Sequence, residues 1–571
     1  MAPTNENILW SEAFVDELVR NGVTEVCVSP GSRSTPLTYV FSEHPDVCVY
    51  SHLDERSSAF FALGRGKATG RPTPVVCTSG TAAANFHPAV LEADESRTPL
   101  LLLTADRPPE LRETAANQTV DQQKLYGDAV RWYKDVAEPE DDERKLRSLR
   151  VTANRAVSES TTPEKGPVHL NFPFRKPLEP AEPPDGEALG SQEVDGGYVE
   201  TTKEHRRLDP EDLDAITERL CGASSGLIVA GPSDCLDPAA VGALVEATGF
   251  AVAADPLSGL RFGGVDALGG YDAYIDLLDS PEVVLRLGGA PTSKRLKGYL
   301  RDSGSDQMVV NPAGGYTDAR FASKEVFTAD PNRLCERVAD EAEGSAGGNA
   351  DGWETRLREA ESAYWDAFSS RHGYFEGGVL HEVARLAPDP STVFVSNSMP
   401  VRDLDRFGRP RDAEVSVFGN RGASGVDGVT STALGVGTAV EEPVVLVTGD
   451  LAYYHDTNGL LAVERCGVDA TIVLINNDGG GIFHMLPIED HDPPFTQQFK
   501  TPHGLEFEPT GDLYGLGFER VDGLDGFRDA FEGAVSSEGT CVIEAVTDAK
   551  ESHEARDRIT KEVREEVRRA V

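Results

Sequence analysis

Short, largely apolar runs recur along the chain, among them TEVCV, TPVVC, TPLLLL, GLIVA, FAVAA, EVVLRL, DQMVV, TVFV, PVVLV, TIVLI and TCVIEA. Runs of this kind, rich in β-branched residues and bounded by Gly, Pro or Asp, predict strands buried on both faces. Between them the apolar spacing changes to three and four. LWSEAFVDELVRNG (9–22) and SSAFFALGRGKATG (57–70) predict helices, the first ending at Gly22. HDTNGLLAVERCG (455–467) is read as a helix too, and KESHEARDRITKEVREEVRRAV (550–571) as a charged helix with a solvated face. Strand and helix alternating in this way predict an α/β fold with mostly parallel sheets flanked by helices.

Two stretches break the alternation. One, up to residue 206, is rich in Pro, Glu and Gly; the other is ADEAEGSAGGNADG (339–352). Linkers are therefore predicted at 181–206 and 341–355, leaving three consecutive α/β domains at 1–180, 207–340 and 356–571. A chain of 571 residues is too long for one core, which agrees.

Composition narrows the partners. The net charge is −42, spread along the chain, and only 13 of the 54 basic residues are lysine. Diffuse acidity argues against nucleic acid and anionic membrane as partners. A carboxylate-rich, lysine-poor composition resembles that of proteins from salt-loving archaea. No apolar run is long enough to span a bilayer, and MAPTNENILW has no signal-peptide pattern, so a cytoplasmic protein is expected. The eight cysteines form no CxxC pair and are read as buried free thiols.

The chemistry concentrates in GDLAYYHDTNGLLAVERCGVDATIVLINNDGGGIF (449–483). Asp450 follows one predicted strand and Asn477 the next. A right-handed strand–helix–strand crossover puts both on one sheet edge, where open α/β sheets bind ligands. A carboxylate, a carboxamide and a backbone carbonyl are hard oxygen donors suited to Mg²⁺, which takes its other oxygens from phosphates. The bland alternative is an N-capping Asp and an Asn-Asn turn. GD, then about 27 residues, then NN resembles the signature of thiamine-diphosphate enzymes. That resemblance implies Asp450, Asn477 and the Gly479 carbonyl as ligands of Mg²⁺ (Mn²⁺ as a substitute). It also places Gly449 and Leu451 beside the cofactor.

By the same resemblance, Glu55 in SHLDERSSAFFALG is the acid that hydrogen-bonds the cofactor's pyrimidine, with Ser79 and Gly80 of the TSG segment nearby. A lone glutamate there is otherwise an ordinary first-turn helix acid. The family usually joins Glu from one subunit to the diphosphate site of another, so a homodimer or homotetramer is implied.

Cations cluster in SPGSRSTPL, TADRPPELRETAANQT, APTSKRL, SNSMPVRDLD and FGNRGASGVDG, which reads as loops after strands. Arginines so placed suit carboxylate substrates. With NNDGGGIF, these segments resemble the family of 2-succinyl-5-enolpyruvyl-6-hydroxy-3-cyclohexene-1-carboxylate synthases of menaquinone biosynthesis. The implied reaction is decarboxylation of 2-oxoglutarate and 1,4-addition of the succinyl carbanion to isochorismate, with small molecules as the only partners besides a second subunit. The implied roles are Ser398 and Arg402 gripping the succinyl unit, and Gln118 bonding the keto oxygen or the intermediate. Ser32, Arg33, Arg107, Asn117, Lys294, Arg295 and Arg421 would bind substrate carboxylates. Val426, Ile482, Phe483 and Leu486 would form apolar walls, with Val426 small for the cofactor wedge. His455 and His484 are read as local structural residues. Another thiamine-dependent decarboxylase or carboligase, acetolactate-synthase-like, would share Glu55, Asp450 and Asn477 but lack the arginine set. The middle domain has no intact GxGxxG, and no P-loop occurs anywhere, which argues against bound FAD and a nucleotide hydrolase.

Overall fold

The computed structural model describes residues 5–162, 164–180, 197–199, 201–202, 206–233, 235–342 and 352–571. Among the described residues, eighteen strands form three six-stranded sheets, every paired strand parallel. The linkers expected at 181–206 and 341–355 lie largely outside the described residues.

The first sheet holds β1 (Glu25–Val28), β2 (Cys48–Ser51), β3 (Thr73–Cys77), β4 (Leu100–Asp106), β5 (Trp132–Asp135) and β6 (Pro167–Pro173), in the order β2-β1-β3-β4-β6-β5. The second holds β7 (Gly226–Ala230), β8 (Ala251–Ala254), β9 (Ala267–Leu268), β10 (Val283–Leu287), β11 (Asp306–Val310) and β12 (Glu325–Phe327), in the order β12-β11-β10-β7-β8-β9. This is the doubly wound order of dinucleotide-binding folds. The third holds β13 (Ser391–Val395), β14 (Val415–Phe418), β15 (Val444–Gly449), β16 (Thr471–Asn476), β17 (Gly517–Val521) and β18 (Cys541–Val546), ordered β14-β13-β15-β16-β18-β17. Its wiring repeats that of the first sheet. In both, the chain reverses direction between the first and third strands, which opens a crevice at their carboxyl ends.

The chain packs as two compact units. One comprises Met1–Glu204, Asn420–Glu441 and Tyr454–Asp469; the other comprises His205–Gly419, Glu442–Tyr453 and Ala470–Val571. In the first unit, helix Val429–Gly437 lies backbone-to-backbone on helix Glu55–Thr69. A Cβ on Gly64 would stand 2.0 Å from the Thr432 carbonyl oxygen, so only glycine allows this approach. In the second unit, the middle and third sheets each have their own apolar core.

Three expectations are corrected. The stretch 455–467 is not one helix: Asp450–His455 ends, a 3₁₀ turn covers Thr457–Leu461, and a short helix Ala462–Cys466 follows. The cause is Asp456, fully buried, which turns inward to accept from the Ser431 amide (2.7 Å) and hydroxyl (3.1 Å). The C-terminal helix Ala549–Ala570 is not merely solvated. Ala555, Ile559, Val563 and Val567 are buried in one cluster with Trp353, Leu357 and Tyr364 of helix Trp353–Ser369. Burying each of Ile559, Val563 and Val567 contributes about 1.5–3 kcal/mol by removing it from water. Of the cysteines, Cys27, Cys77 and Cys335 are buried, whereas Cys48 and Cys235 are exposed.

Candidate active site

Strands β15 and β16 are parallel neighbours, so their carboxyl ends share one edge. Asp450 opens the helix after β15 and is only 3% exposed. Its Oδ2 accepts from the amides of Asn477 (3.1 Å) and Gly479 (2.9 Å), and its Oδ1 from Leu451 (2.6 Å). His503 Nε2 lies 3.2 Å from the same Oδ2. These contacts fix the carboxylate against the β16 loop, which a simple N-cap would not require.

Asn477 is held on three sides. Its Nδ2 donates to Glu376 Oε1 (2.7 Å), its amide donates to Asp450, and its carbonyl accepts from Lys500 Nζ (2.6 Å). Its Oδ1 is buried with no hydrogen-bond partner. A buried acceptor in that state is costly unless something occupies it. Gly479 adopts φ +126°, and a Cβ there would stand 2.1 Å from the Lys500 carbonyl oxygen. The oxygen donors and the orphaned Asn477 Oδ1 fit a hard divalent cation.

The first sheet builds a cationic edge from the loops after β1, β3 and β4. Arg33 is 7% exposed, in the turn Ser32–Ser34, and donates to the Phe174 carbonyl (2.7 Å). Burial and the nearby Arg107 lower its pKa, and Asp106 opposes them. Arg107 donates to Ser79 Oγ (2.8 Å) and to the Asn117 carbonyl (2.7 Å). Gln118, at φ +55°, donates from Nε2 to the Ser79 carbonyl (3.0 Å), while the Gly80 amide donates to Gln122 Oε1 (2.9 Å). Arg33, Ser79, Gly80, Arg107, Asn117 and Gln118 thus converge, with Ser32 exposed on the same turn.

Glu55 is the first residue of its helix, after β2. Asp54 caps that helix through the Arg56 amide (2.7 Å) and also binds Asn458. Glu55 is half-buried, and its charge helps burial raise the pKa of Cys77 at the end of β3.

Several expected loop residues lie in helices instead. Lys294 and Arg295 open helix Lys294–Asp302 behind the cap Ser293. Lys294 is exposed, and Arg295 pairs with Asp276 (3.2 Å). Arg402 lies inside helix Met399–Phe407 and donates back to the carbonyl of Ser398, which precedes the helix at φ +67°. The dipeptides Ser-Lys and Met-Pro were helix starts, where Ser and early Pro belong. Arg421 is half-buried in the loop after β14, and Val426 is 38% exposed. Ile482 and Phe483 are half-buried in the turn Gly481–Met485, whereas Leu486 is 47% exposed. His553 Nε2 donates to the Gly481 carbonyl (3.0 Å) and steadies that turn. His484 contacts Glu489 (2.7 Å) five residues on, whereas His455 contacts Arg56 (3.1 Å), 399 positions away in sequence.

Sequence reasoning missed Glu376, Asp403, Lys500, His503 and Arg556. Ala549, Ser552, Arg556, Ile559, Val563 and Val567 recur at three- and four-residue spacing, and that stripe was the available signal for a buried face carrying Arg556. Among the described residues, His372, His381 and Glu382 also have metal-ligand spacing. Arg385 (2.8 Å) and Arg528 (2.6 Å) already occupy the Glu382 carboxylate.

Sheet wiring and site define a thiamine-type enzyme, and comparison with known proteins agrees. Residues 10–125 match the N-terminal TPP binding domain of thiamine pyrophosphate enzymes, 198–395 their middle domain, and 411–545 their C-terminal TPP binding domain. A 2-succinyl-5-enolpyruvyl-6-hydroxy-3-cyclohexene-1-carboxylate synthase of Haloarcula marismortui is 56% identical, covering 99% of both chains. Proteins of the same name from Haloquadratum walsbyi and Roseiflexus castenholzii are 51% and 44% identical, the first over 98% of both chains, the second over 96% of this chain and 97% of its own. The chain belongs to this synthase family of thiamine-diphosphate-dependent enzymes. No helix among the described residues is long and apolar enough to cross a membrane.

Proposed function

We propose that this enzyme decarboxylates 2-oxoglutarate and adds the succinyl unit to isochorismate, a step of menaquinone biosynthesis, with Mg²⁺ or Mn²⁺ holding the cofactor diphosphate. The observation that carries the metal is the buried, unpartnered Asn477 Oδ1 beside Asp450 and Gly479. Asp450, Asn477 Oδ1 and the Gly479 carbonyl would hold the ion. Bound thiamine diphosphate supplies the carbon nucleophile and the electron sink for CO₂ loss. Glu55 would hold a proton toward the cofactor's pyrimidine nitrogen.

Two dicarboxylate substrates bring a large negative charge. Arg33 and Arg107, both at the first sheet's edge, supply cations with little anionic compensation besides Asp106. Arg402, tied to Ser398, would take a carboxylate of the oxoacid, and Arg421 one of the acceptor. Lys294 and Arg295 remain in the proposal as more remote cations. Ile482, Phe483, Leu486 and Val426 would supply apolar walls. A homodimer or homotetramer, with sites completed between subunits, and a cytoplasmic location belong to the same reading on the resemblance alone.

The test is CO₂ release from 2-oxoglutarate in concentrated KCl with Mg²⁺ and thiamine diphosphate, with and without isochorismate. Release that depends on isochorismate and falls about 10²–10⁴-fold in Glu55→Gln supports the proposal. Release indifferent to isochorismate makes the enzyme a plain decarboxylase.

A further inference from the structure

One buried chain of ionic contacts joins the two halves of the C-terminal site. Glu376 is 2% exposed, Asp403 fully buried and Arg556 1% exposed. Arg556 donates through Nε to Asp403 Oδ1 (2.8 Å) and through Nη2 to Asp403 Oδ2 (2.5 Å), a two-point grip. The same Nη2 binds Glu376 Oε2. The other oxygen of Glu376 accepts from Asn477 Nδ2 (2.7 Å). Asp403 sits one residue beyond Arg402, on the helix that Ser398 precedes.

The chemistry of these groups gives the chain a direction. A carboxylate offers only acceptors, so Asn477 must turn its Nδ2 toward Glu376. Its Oδ1 is thereby left facing away, buried and unpartnered. Glu376 therefore selects which face of the Asn477 amide is offered to a cation. Its own orientation is set by Arg556, which also pins the helix that carries Arg402.

Resting on the reading of Asp450, Asn477 and Gly479 as a metal site, we propose that Glu376, Arg556 and Asp403 are positioning residues. Glu376 presents the metal ligand, Asp403 places the substrate-gripping helix, and Arg556 ties the two placements together. Groups behind a ligand commonly alter metal affinity about 10- to 100-fold. Glutamine at 376 can donate as well as accept, so Asn477 is free to flip.

The test is a Mg²⁺ titration of the melting temperature of the full-length protein at saturating thiamine diphosphate, alongside KM for 2-oxoglutarate. In the unaltered protein, Mg²⁺ must raise the melting temperature; if it does not, the metal-site reading itself fails. Given that shift, Glu376→Gln should need about 10- to 100-fold more Mg²⁺ for the half-maximal shift. Its KM at saturating Mg²⁺ should stay close to the original. Asp403→Asn should do the reverse, raising KM with the Mg²⁺ midpoint nearly unmoved. A merely structural role lowers the melting temperature of both variants and leaves the two midpoints alike. That outcome, or an unshifted Mg²⁺ midpoint in Glu376→Gln, overturns the inference. Should Glu376→Gln not fold, Glu376→Asp keeps the acceptor chemistry and shortens its reach. Its Mn²⁺ affinity, read by electron paramagnetic resonance, must then fall, and an unchanged affinity counts equally against the inference.

Discussion

The first and third sheets share one strand order and differ in what their edges hold. After the first strand of each, serine is followed by arginine: SPGSR beyond β1, and SNSMPVR beyond β13, where the arginine already lies in a helix. After the third strand come TSG and TGD, a glycine in one and buried Asp450 in the other. After the fourth come TADR and INNDGG, a cation in one and a carboxamide in the other. The wiring fixes where a ligand can sit, because both crevices open where the chain reverses. The side chains at those points decide its charge. The first edge gathers Arg33 and Arg107 around Ser79, and the third brings the oxygen donors of Asp450 and Asn477 together.

Exchanging chemistry at matched places tests this contrast. The largest effect is expected at Asp450→Asn, which removes the buried charge from the third edge. Activity should fall by on the order of 10³-fold or more, and the Mg²⁺-dependent rise in melting temperature should vanish. Ser79→Ala, one place before the matching position on the first edge, should cost far less, because Arg107 keeps its bond to the Asn117 carbonyl. Similar losses in the two would break the comparison.

Next comes Arg107→Ala. Removing a charge that pairs with a substrate carboxylate costs about 2–5 kcal/mol, so substrate KM should rise by roughly 30- to 4000-fold. Lysine should rescue poorly, lacking the planar fork. Steady-state kinetics with each substrate varied in turn shows whether Arg107 serves a carboxylate of either.

A third contrast concerns pH. His169 on β6 is buried, and burial depresses its pKa to about 3. The partner strand β18 places apolar Ile543 at the matching position, opposite Val473 as His169 is opposite Leu102. Below about pH 6.5 the unfolded chain protonates this histidine and the folded chain does not. Its contribution is therefore intact above pH 6.5 and lost as pH falls toward 3, at about 1.4 kcal/mol per pH unit. His169→Ile should reduce that slope, measured by urea unfolding at pH 6.5 and 4.5.

The smallest effect separates two glycines of the third edge. Gly479→Ala meets both positive φ and the Lys500 carbonyl, and should destabilise by about 1–3 kcal/mol. Gly449→Ala meets nothing within 4 Å and should change stability by about 0.5 kcal/mol or less. Paired thermal melts give both values.

Much of this was legible because it is local. Buried parallel strands are continuous apolar runs, so VVLV and TIVLI announced themselves, and the residues just beyond them had to lie on the ligand edge. Hence Asp450, Asn477, Arg33 and Arg107 could be placed just beyond strand ends from sequence, and GD followed 27 residues later by NN pointed to the family. Helix starts were less legible. SNSMPVR and TSKRL read as loops, although Ser398 precedes one helix and Ser293 caps another.

The sequence by itself determined three α/β sheets, the edge residues of two of them and the kind of ligand their chemistry suits. Only the tertiary structure decided that Asp456 turns inward to break a helix, that the charged C-terminal helix buries one face, and that Glu376 orients Asn477. Strand and helix follow from periodicities of two to four residues, which neighbouring positions reveal. A contact such as Arg556 with Asp403 joins positions 153 apart. Its value comes from shared burial, which exists only after the elements have packed.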